Sequence, residues 1–505
     1  MKNNPLLNAM NKSQNRTART ANGAVSNHSS LDDCVDLFGK IAAMRNNSDA
    51  TVISQFTKAF AQDPLKALKI LFWNRDVRGG AGERKTSRTI FKYLAEAHTD
   101  VMAKNIHLVA EFGRWDDLMV FLDTPLKSQA MKLITNQFKH DYKIFVGETK
   151  GNPSLLFKWL PSENASSKLT KKYARIVRDS LGISSKKYRK ALSVGRKFLN
   201  VIERDLCSKN YDNIDYSKVP SRAAMVYRKA FGRNDEKRYQ NFLGKVEKGE
   251  AEIKTATLYP YDIARPILNG VGADGWGRTS RTFYDKTLIL QWENLPNYVE
   301  PFNGMVICDT SGSMYGSYYS NKNNDVRPID VAISLTMYIA ERNVGVWKNS
   351  FFTFNSNSQL QSIKGSNIIE RMANLSKADW GGSTNFQSTF DKILETAKRN
   401  NLTDDELPKK VFCVSDMQFN NAGYNTNFEV IRRKYETAGY TMPQLVFWNV
   451  NASSDSPVTI HDSGTALISG CSPAILKSVL SGEIITPVDV MNQTIESERY
   501  SVVTV

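Results

Sequence analysis

Near residue 300 the spacing of apolar residues changes, and that break constrains the fold more than any other feature of the sequence. Before it, apolar residues recur every three or four positions in stretches such as LDDCVDLFGKIAAMRN, DATVISQFTKAFAQD, PLKALKILFWNRD, GERKTSRTIFKYLAEAH and SSKKYRKALSVGRKFLNVIERDL. That period places one apolar stripe along a helix, and Pro, Gly, Asn or Asp marks the turns between. After it, short unbroken apolar runs (GMVICD, SFFTF, KKVFCVSD, PQLVFWNV, GTALISG) alternate with segments such as PIDVAISLTMYIAERN and FQSTFDKILETAKRN. Strands buried on both faces and separated by helices build a mostly parallel sheet. The expected organisation is a loose polar arm over 1–29, helical repeats over 30–298 stacked as a solenoid or ring, and a doubly wound α/β domain over 299–505.

Charge follows the same division. The chain carries a net charge of +16. Residues 1–300 hold 50 Lys and Arg against 31 Asp and Glu, whereas residues 301–505 hold 17 against 20. The densest stretch, 151–200, has 12 basic residues and two acidic ones. Such a concentrated field points to a polyanionic partner, most simply nucleic acid. With Ser184 or Ser185 as N-cap, turning 100° per residue puts Tyr188, Ala191, Leu192, Gly195, Phe198, Leu199 and Ile202 on one arc. Lys186, Lys190 and Lys197 then lie opposite, with Arg189 and Arg196 on one shoulder. Together with Lys171, Lys172, Arg175 and Lys187 they form the candidate nucleic-acid-contacting set, presented to a phosphate backbone; a solvated face is the plainer alternative. No stretch of about 18 apolar residues is present, so no membrane span is expected. Five dispersed cysteines with no C-x-x-C pair suit buried thiols in a reducing cytoplasm, and five scattered histidines disfavour a zinc enzyme.

The stretch VICDTSGSMYG (306–316) places Asp309, Ser311 and Ser313 where a buried strand ends. Ligands bind beyond the carboxyl ends of strands in open α/β sheets. One carboxylate and two hydroxyls make an all-oxygen site suited to Mg²⁺ or Mn²⁺. The loop WGGSTN (380–385) offers Thr384, and VFCVSD offers a second strand-terminal carboxylate, Asp416.

These residues resemble the metal-ion-dependent adhesion site of von Willebrand factor A domains. The resemblance carries Asp309, Ser311, Ser313, Thr384 and Asp416 as metal ligands, and implies an open position for a carboxylate or phosphate from a partner. The family usually reads Gly-Gly-Thr, whereas Ser383 intervenes here and is an alternative ligand; Met417 stands where Gly is common. The stretches FWNRDVRGGAGERK (72–85) and FGRWDDL (112–118) resemble the TROVE module of Ro-type RNA-binding proteins. KWLPSENASS, KKYRKAL and VPSRAAMVYRKAF appear in a related Ro-like family. This resemblance implies a HEAT-like ring of helices joined to an A domain, with non-coding RNA or RNA ends held on or through the ring.

Taken without the resemblance, RDVRGGAGERK reads as a glycine turn with exposed amides, with Glu83 capping the next helix and Asp76 holding an arginine, or as a purely structural turn. Asp116 and Asp117 read as helix-start chemistry. Three function classes remain open: an RNA-binding scaffold, a metal-dependent protein-assembly module that captures an acidic protein ligand, and an enzyme. The last lacks support, because an aspartyl phosphatase needs an acid where Ser311 stands, and no P-loop or nucleophile elbow is present.

Overall fold

A computed structural model describes residues 10, 14–15, 18–271, 283–315, 326–353, 358–375, 385–420, 425–452, 455–480 and 483–505. Packing divides the chain into two units, Met1–Ile70 with Thr255–Ser497, and Leu71–Lys254 with Glu498–Val505.

The first unit contains a hairpin, β1 (Ala18–Arg19) and β2 (Val25–Ser26), and six strands: β3 (Gly304–Cys308), β4 (Ser350–Thr353), β5 (Gln359–Ser362), β6 (Lys410–Ser415), β7 (Gln444–Asn449) and β8 (Thr465–Ser469). The six form one sheet in the order β5-β4-β3-β6-β7-β8. Every pairing is parallel except β4 with β5. β3 and β6 are buried at every position, which is why they read as unbroken apolar runs. The helix Pro328–Arg342, buried from Pro328 to Ala340, packs on β3 and on the helix Pro260–Val271. A helix enclosed on all sides needs apolar residues all round.

Some segments with repeat-like spacing belong to this sheet unit. The helix Asp33–Phe38 packs on β8 and on Pro487–Ile495. It stops at Gly39, and a 3₁₀ turn, Ile41–Asn46, follows where the sequence suggests one longer helix. Helical spacing reveals a buried stripe but not the surface that buries it. Residues 18–30, polar enough to read as part of a loose arm, are held by hydrogen bonds. Thr20 Oγ1 donates to Phe419 O at 2.6 Å, Asn22 Nδ2 to Gln418 O at 2.6 Å, and Gln418 Oε1 accepts from Ala21 N at 2.6 Å. Asn27 and Ser456 exchange backbone bonds in both directions.

The second unit is helical: Lys85–Ala97, Thr99–Asn105, Leu108–Phe112, Lys127–Phe145, Leu156–Trp159, Lys168–Ser180, Ser185–Phe198, Glu203–Cys207, Ser221–Asn234 and Glu236–Glu247. Phe157 stacks on Phe138 at 4.6 Å and meets Phe145 edge-on at 4.8 Å. Gly195 lets the helix Ser185–Phe198 approach this cluster, since a Cβ there would lie 2.5 Å from the Phe157 ring. Phe198, expected in the packed arc, is exposed although it touches Phe145.

The last eight residues of the sequence return to this unit. Arg499 grips the buried carboxylate of Asp76, Tyr500 stacks on Phe112 at 5.5 Å, and Asn105 bonds both the N–H and the C=O of Thr504. Arg499→Ala is expected to destabilise the helical unit by about 2 kcal/mol, because Asp76 stays buried without its cation. Faster amide exchange confined to that unit would register it. No described helix is long and apolar enough to cross a membrane. All five cysteines are free; Cys207 is exposed and the others are buried.

Candidate metal centre and nucleic-acid interface

β3 and β6 lie side by side where the strand order reverses, with β4 and β5 on one side and β7 and β8 on the other. This is the switch point at which the two outgoing loops part and leave a crevice. Asp309 and Asp416 are the first residues past β3 and β6, and Asp309 N still bonds Val414 O at 2.9 Å. Both carboxylates are buried, with 0% and 2% exposure.

The four described ligand candidates converge. Asp309 Oδ1 accepts from Ser311 N at 2.9 Å, Ser311 Oγ and Ser313 Oγ are 3.2 Å apart, and Ser313 hydrogen-bonds Asp416. Asp309 Oδ2 accepts from Ser415 Oγ at 2.5 Å, and Asp416 Oδ1 accepts from Gln418 N at 3.2 Å. Thr384 and Ser383 lie outside the described residues. The sequence reading missed Ser415, the last residue of β6 and the one before Asp416; alternation alone does not show that it turns to the neighbouring loop.

Burial, then the charge of Asp416, pushes the Asp309 carboxyl up to about 7, against the hydrogen bonds of Ser415 and Ser311. Burial also raises Asp416, opposed by Ser313. Among the described residues no Lys, Arg or His pairs with either carboxylate. Nor do they contain a group of three or more His, Cys, Asp or Glu able to hold a metal, so hydroxyls would have to complete the shell. Two uncompensated carboxylates and two hydroxyls fit a hard divalent cation, whose charge would relieve their repulsion.

Met417, next to Asp416, adopts φ +64°. A side chain in this left-handed region costs roughly 1 kcal/mol, which explains why glycine suits the position. Met417 is nevertheless buried, and its turn is tied by Met417 N to Ser415 Oγ at 2.9 Å and by the β1–β2 hairpin on Gln418 and Phe419.

The cationic candidates lie on the helices Lys168–Ser180 and Ser185–Phe198. Ser167 and Ser184 cap them by accepting from Thr170 N and Lys187 N. Lys186, Lys187, Arg189, Lys190, Lys197 and Arg175 are exposed, and Lys171 is half-buried. None of these seven forms an ion pair among the described residues. Nearby acids are engaged elsewhere: Glu163 and Asp179 hold Arg178, and Asp123 holds Lys172 at 2.5 Å. Arg196 departs from the expected row. Its Nε donates to Phe157 O at 3.2 Å, Nη2 to Leu160 O at 2.9 Å and Nη1 to Ser162 Oγ at 3.0 Å. The end of the helix Leu156–Trp159 and the residues just after it thus capture a side chain that helical geometry places on the shoulder, and burial lowers its pKa.

The glycine turn is structural in part. Ala81 N bonds Trp73 O and Glu83 N bonds Asn74 O, so these two amides are not free for a ligand. Glu83 does cap the following helix, accepting from Arg84 N and Lys85 N. Asp76 does hold an arginine, namely Arg499.

A family model described as a domain of unknown function, DUF2828, matches residues 20–145 and 140–300, and a second, DUF7788, matches residues 303–502. The chain is 30% identical over 519 residues to an uncharacterized protein of Acanthamoeba polyphaga mimivirus, covering 94% of this chain and 87% of the viral one. With more than half of its length matched by the first model, the chain belongs to the DUF2828 family.

Proposed function

We propose that this protein is a cytoplasmic RNA-binding scaffold that holds its ligands without chemically changing them. The helical unit, read as a Ro-like array of HEAT-type repeats, binds non-coding RNA or single-stranded ends. The sheet unit, read as a von Willebrand A domain, carries a divalent-ion adhesion site. The observation that carries this reading is the exposed cationic face of the helices Lys168–Ser180 and Ser185–Phe198, whose nearby acids already have partners. Solvated faces usually mix signs; a one-signed face suits phosphates. The A-domain reading is supported by the strand order and by the convergence of Asp309, Ser311, Ser313 and Asp416 at the switch point.

A bound Mg²⁺ or Mn²⁺ would supply an open coordination position for a carboxylate or phosphate oxygen. Asp309 and Asp416 would balance its charge, while Ser311, Ser313 and Thr384 would orient it. The same site favours a second reading, capture of an acidic protein ligand, which a nuclease-treated pull-down with and without EDTA separates from RNA binding.

The test is single-stranded RNA affinity as a function of salt. Replacing Lys186, Arg189, Lys190 and Lys197 by alanine is expected to weaken binding and flatten the logarithmic salt slope by about 3, since each lost phosphate contact removes roughly 0.7. Unchanged affinity and slope would reject this face as the RNA contact. Arg196 is left in place because its role is to hold residues 157–162.

A further inference from the structure

The helical unit holds a second concentration of cations, built differently from the lysine row. Three arginines share two aspartates. Asp117 lies between Arg75, at 2.6 Å, and Arg88, at 2.6 Å. Asp116 lies between Arg88, at 2.7 Å, and Arg114, at 3.1 Å. Arg84 is exposed, forms no ion pair among the described residues, and is close enough for its charge to act on Arg114. The cluster therefore keeps two positive charges that its own acids do not neutralise.

The surplus faces solvent. Arg75 and Asp117 are buried, but the Arg88 and Arg114 side chains are 27% and 26% exposed. Nη1 of each makes no hydrogen bond among the described residues. The Arg114 pairing is also imperfect: its Nε and Asp116 Oδ1 are in ionic contact, yet neither is satisfied as a hydrogen-bonding atom. Burial, opposed by Asp116 and reinforced by Arg84 and Arg75, lowers the Arg114 pKa. Trp159 lies under the Arg114 guanidinium, 4.1 Å from ring centroid to Cζ, and Lys158 Nζ is 5.3 Å from the same ring. A guanidinium held by its face leaves its N–H edges for acceptors in its plane.

We propose that Arg84, Arg88 and Arg114, on the platform of Trp159, form a binding site for a phosphate monoester dianion. Two surplus charges match a terminal phosphate better than the single charge of an internal phosphodiester, and forked guanidinium donors match its oxygens. The ligand is the phosphorylated end of an RNA or a free phosphate. The site shares no residue with the lysine row, although Arg88 is close enough for its charge to act on Tyr173 of the helix Lys168–Ser180, and its phosphate affinity does not depend on the RNA-binding reading.

The experiment uses the full chain with three probes: one RNA oligonucleotide carrying a 5′-phosphate, the same one with a 5′-hydroxyl, and inorganic phosphate. The phosphorylated oligonucleotide is expected to bind about tenfold more tightly, with inorganic phosphate competing for the difference. Arg84→Gln, whose side chain is exposed, and Arg114→Gln should bring that ratio close to one, and Trp159→Phe should remove a fluorescence change that phosphate induces. Phosphate binding that lacks an RNA preference but is lost in both arginine variants assigns free phosphate as the ligand and supports the site. A wild-type ratio near one without phosphate binding overturns it. So does an unchanged preference in Arg84→Gln where the wild type prefers the phosphorylated RNA, or unchanged phosphate binding in that variant where it does not; this variant is the one least able to disturb the fold. If the 5′-hydroxyl RNA fails to bind but inorganic phosphate binds and depends on the arginines, the RNA reading fails and this site stands.

Discussion

Replacing Asp117 by alanine destabilises the helical unit by about 3–5 kcal/mol, the expected cost of stranding a buried cation. Asp117 is fully buried and accepts from Arg75 Nε at 2.8 Å, Arg88 Nε at 2.6 Å and the Arg114 backbone at 2.8 Å. Arg88 reaches solvent and can rehydrate, whereas Arg75, 1% exposed, cannot. The close packing depends on Gly113: a Cβ there would lie 2.3 Å from Asp117 Oδ2 and 2.9 Å from Arg75 Nε. Gly113→Ala should therefore disturb the same pair. A chain of two units need not unfold in one step, so the measurement is amide exchange and proteolysis within 85–123, alongside denaturant melting. Asp117→Leu combined with Arg75→Met should recover much of the loss, because an apolar pair strands no charge. A loss under about 1 kcal/mol in Asp117→Ala would show that Arg75 finds another anion.

Divalent metal is expected to stabilise the sheet unit, and more strongly as pH rises. The Asp309 carboxyl sits at about 7 in the fold against an ordinary 3.8. The folded state thus retains a proton that the unfolded chain releases between these values. Without metal, the favourable contribution is complete below the ordinary carboxyl range and is lost as pH rises through 7. The metal-free unit should be more stable near about pH 5 than near about pH 8, by a few kcal/mol. Mg²⁺ at this proposed site would bind the ionised pair, so it should raise the thermal midpoint at the higher pH and have little effect at the lower. Asp309→Asn should remove the Asp309 part of the pH dependence, leaving that of Asp416, which burial also raises, and should abolish the Mg²⁺ response. Identical midpoints with Mg²⁺ and with EDTA at the higher pH would exclude a metal role for Asp309 and Asp416.

The sequence revealed local chemistry better than long-range partnership. The unbroken runs ending at Asp309 and Asp416 identify two buried strands, and these strands are adjacent in the sheet. The cap at Ser184, one of the two candidates with Ser185, and the role of Glu83 were also legible, because each acts within three residues. Asp76 was identifiable as an arginine partner, but not the arginine it holds, 423 residues away. Asp116 and Asp117 read as helix-start residues. Asp117 does cap Arg114 N, but no local pattern showed that it also bridges Arg75 and Arg88. Arg196 failed as a free cation for the same reason, since a helical projection contains no information about the carbonyls of Phe157 and Leu160, more than thirty residues earlier. The hairpin that pins the loop after Asp416 had no signal, because its bonds come from main-chain and small polar groups in a stretch composed like a disordered tail.

The chain's path has a consequence for how the protein is made. Synthesis delivers Asp76 423 residues before Arg499, so the helical unit emerges from the ribosome with an acid still awaiting its cation. The sheet unit has the opposite problem: its first seventy residues are made before any strand of the six exists. A cut between 298 and 299 would therefore divide both units instead of separating them. Each half, expressed alone, would lack contacts supplied by the other, and such distant closures slow folding.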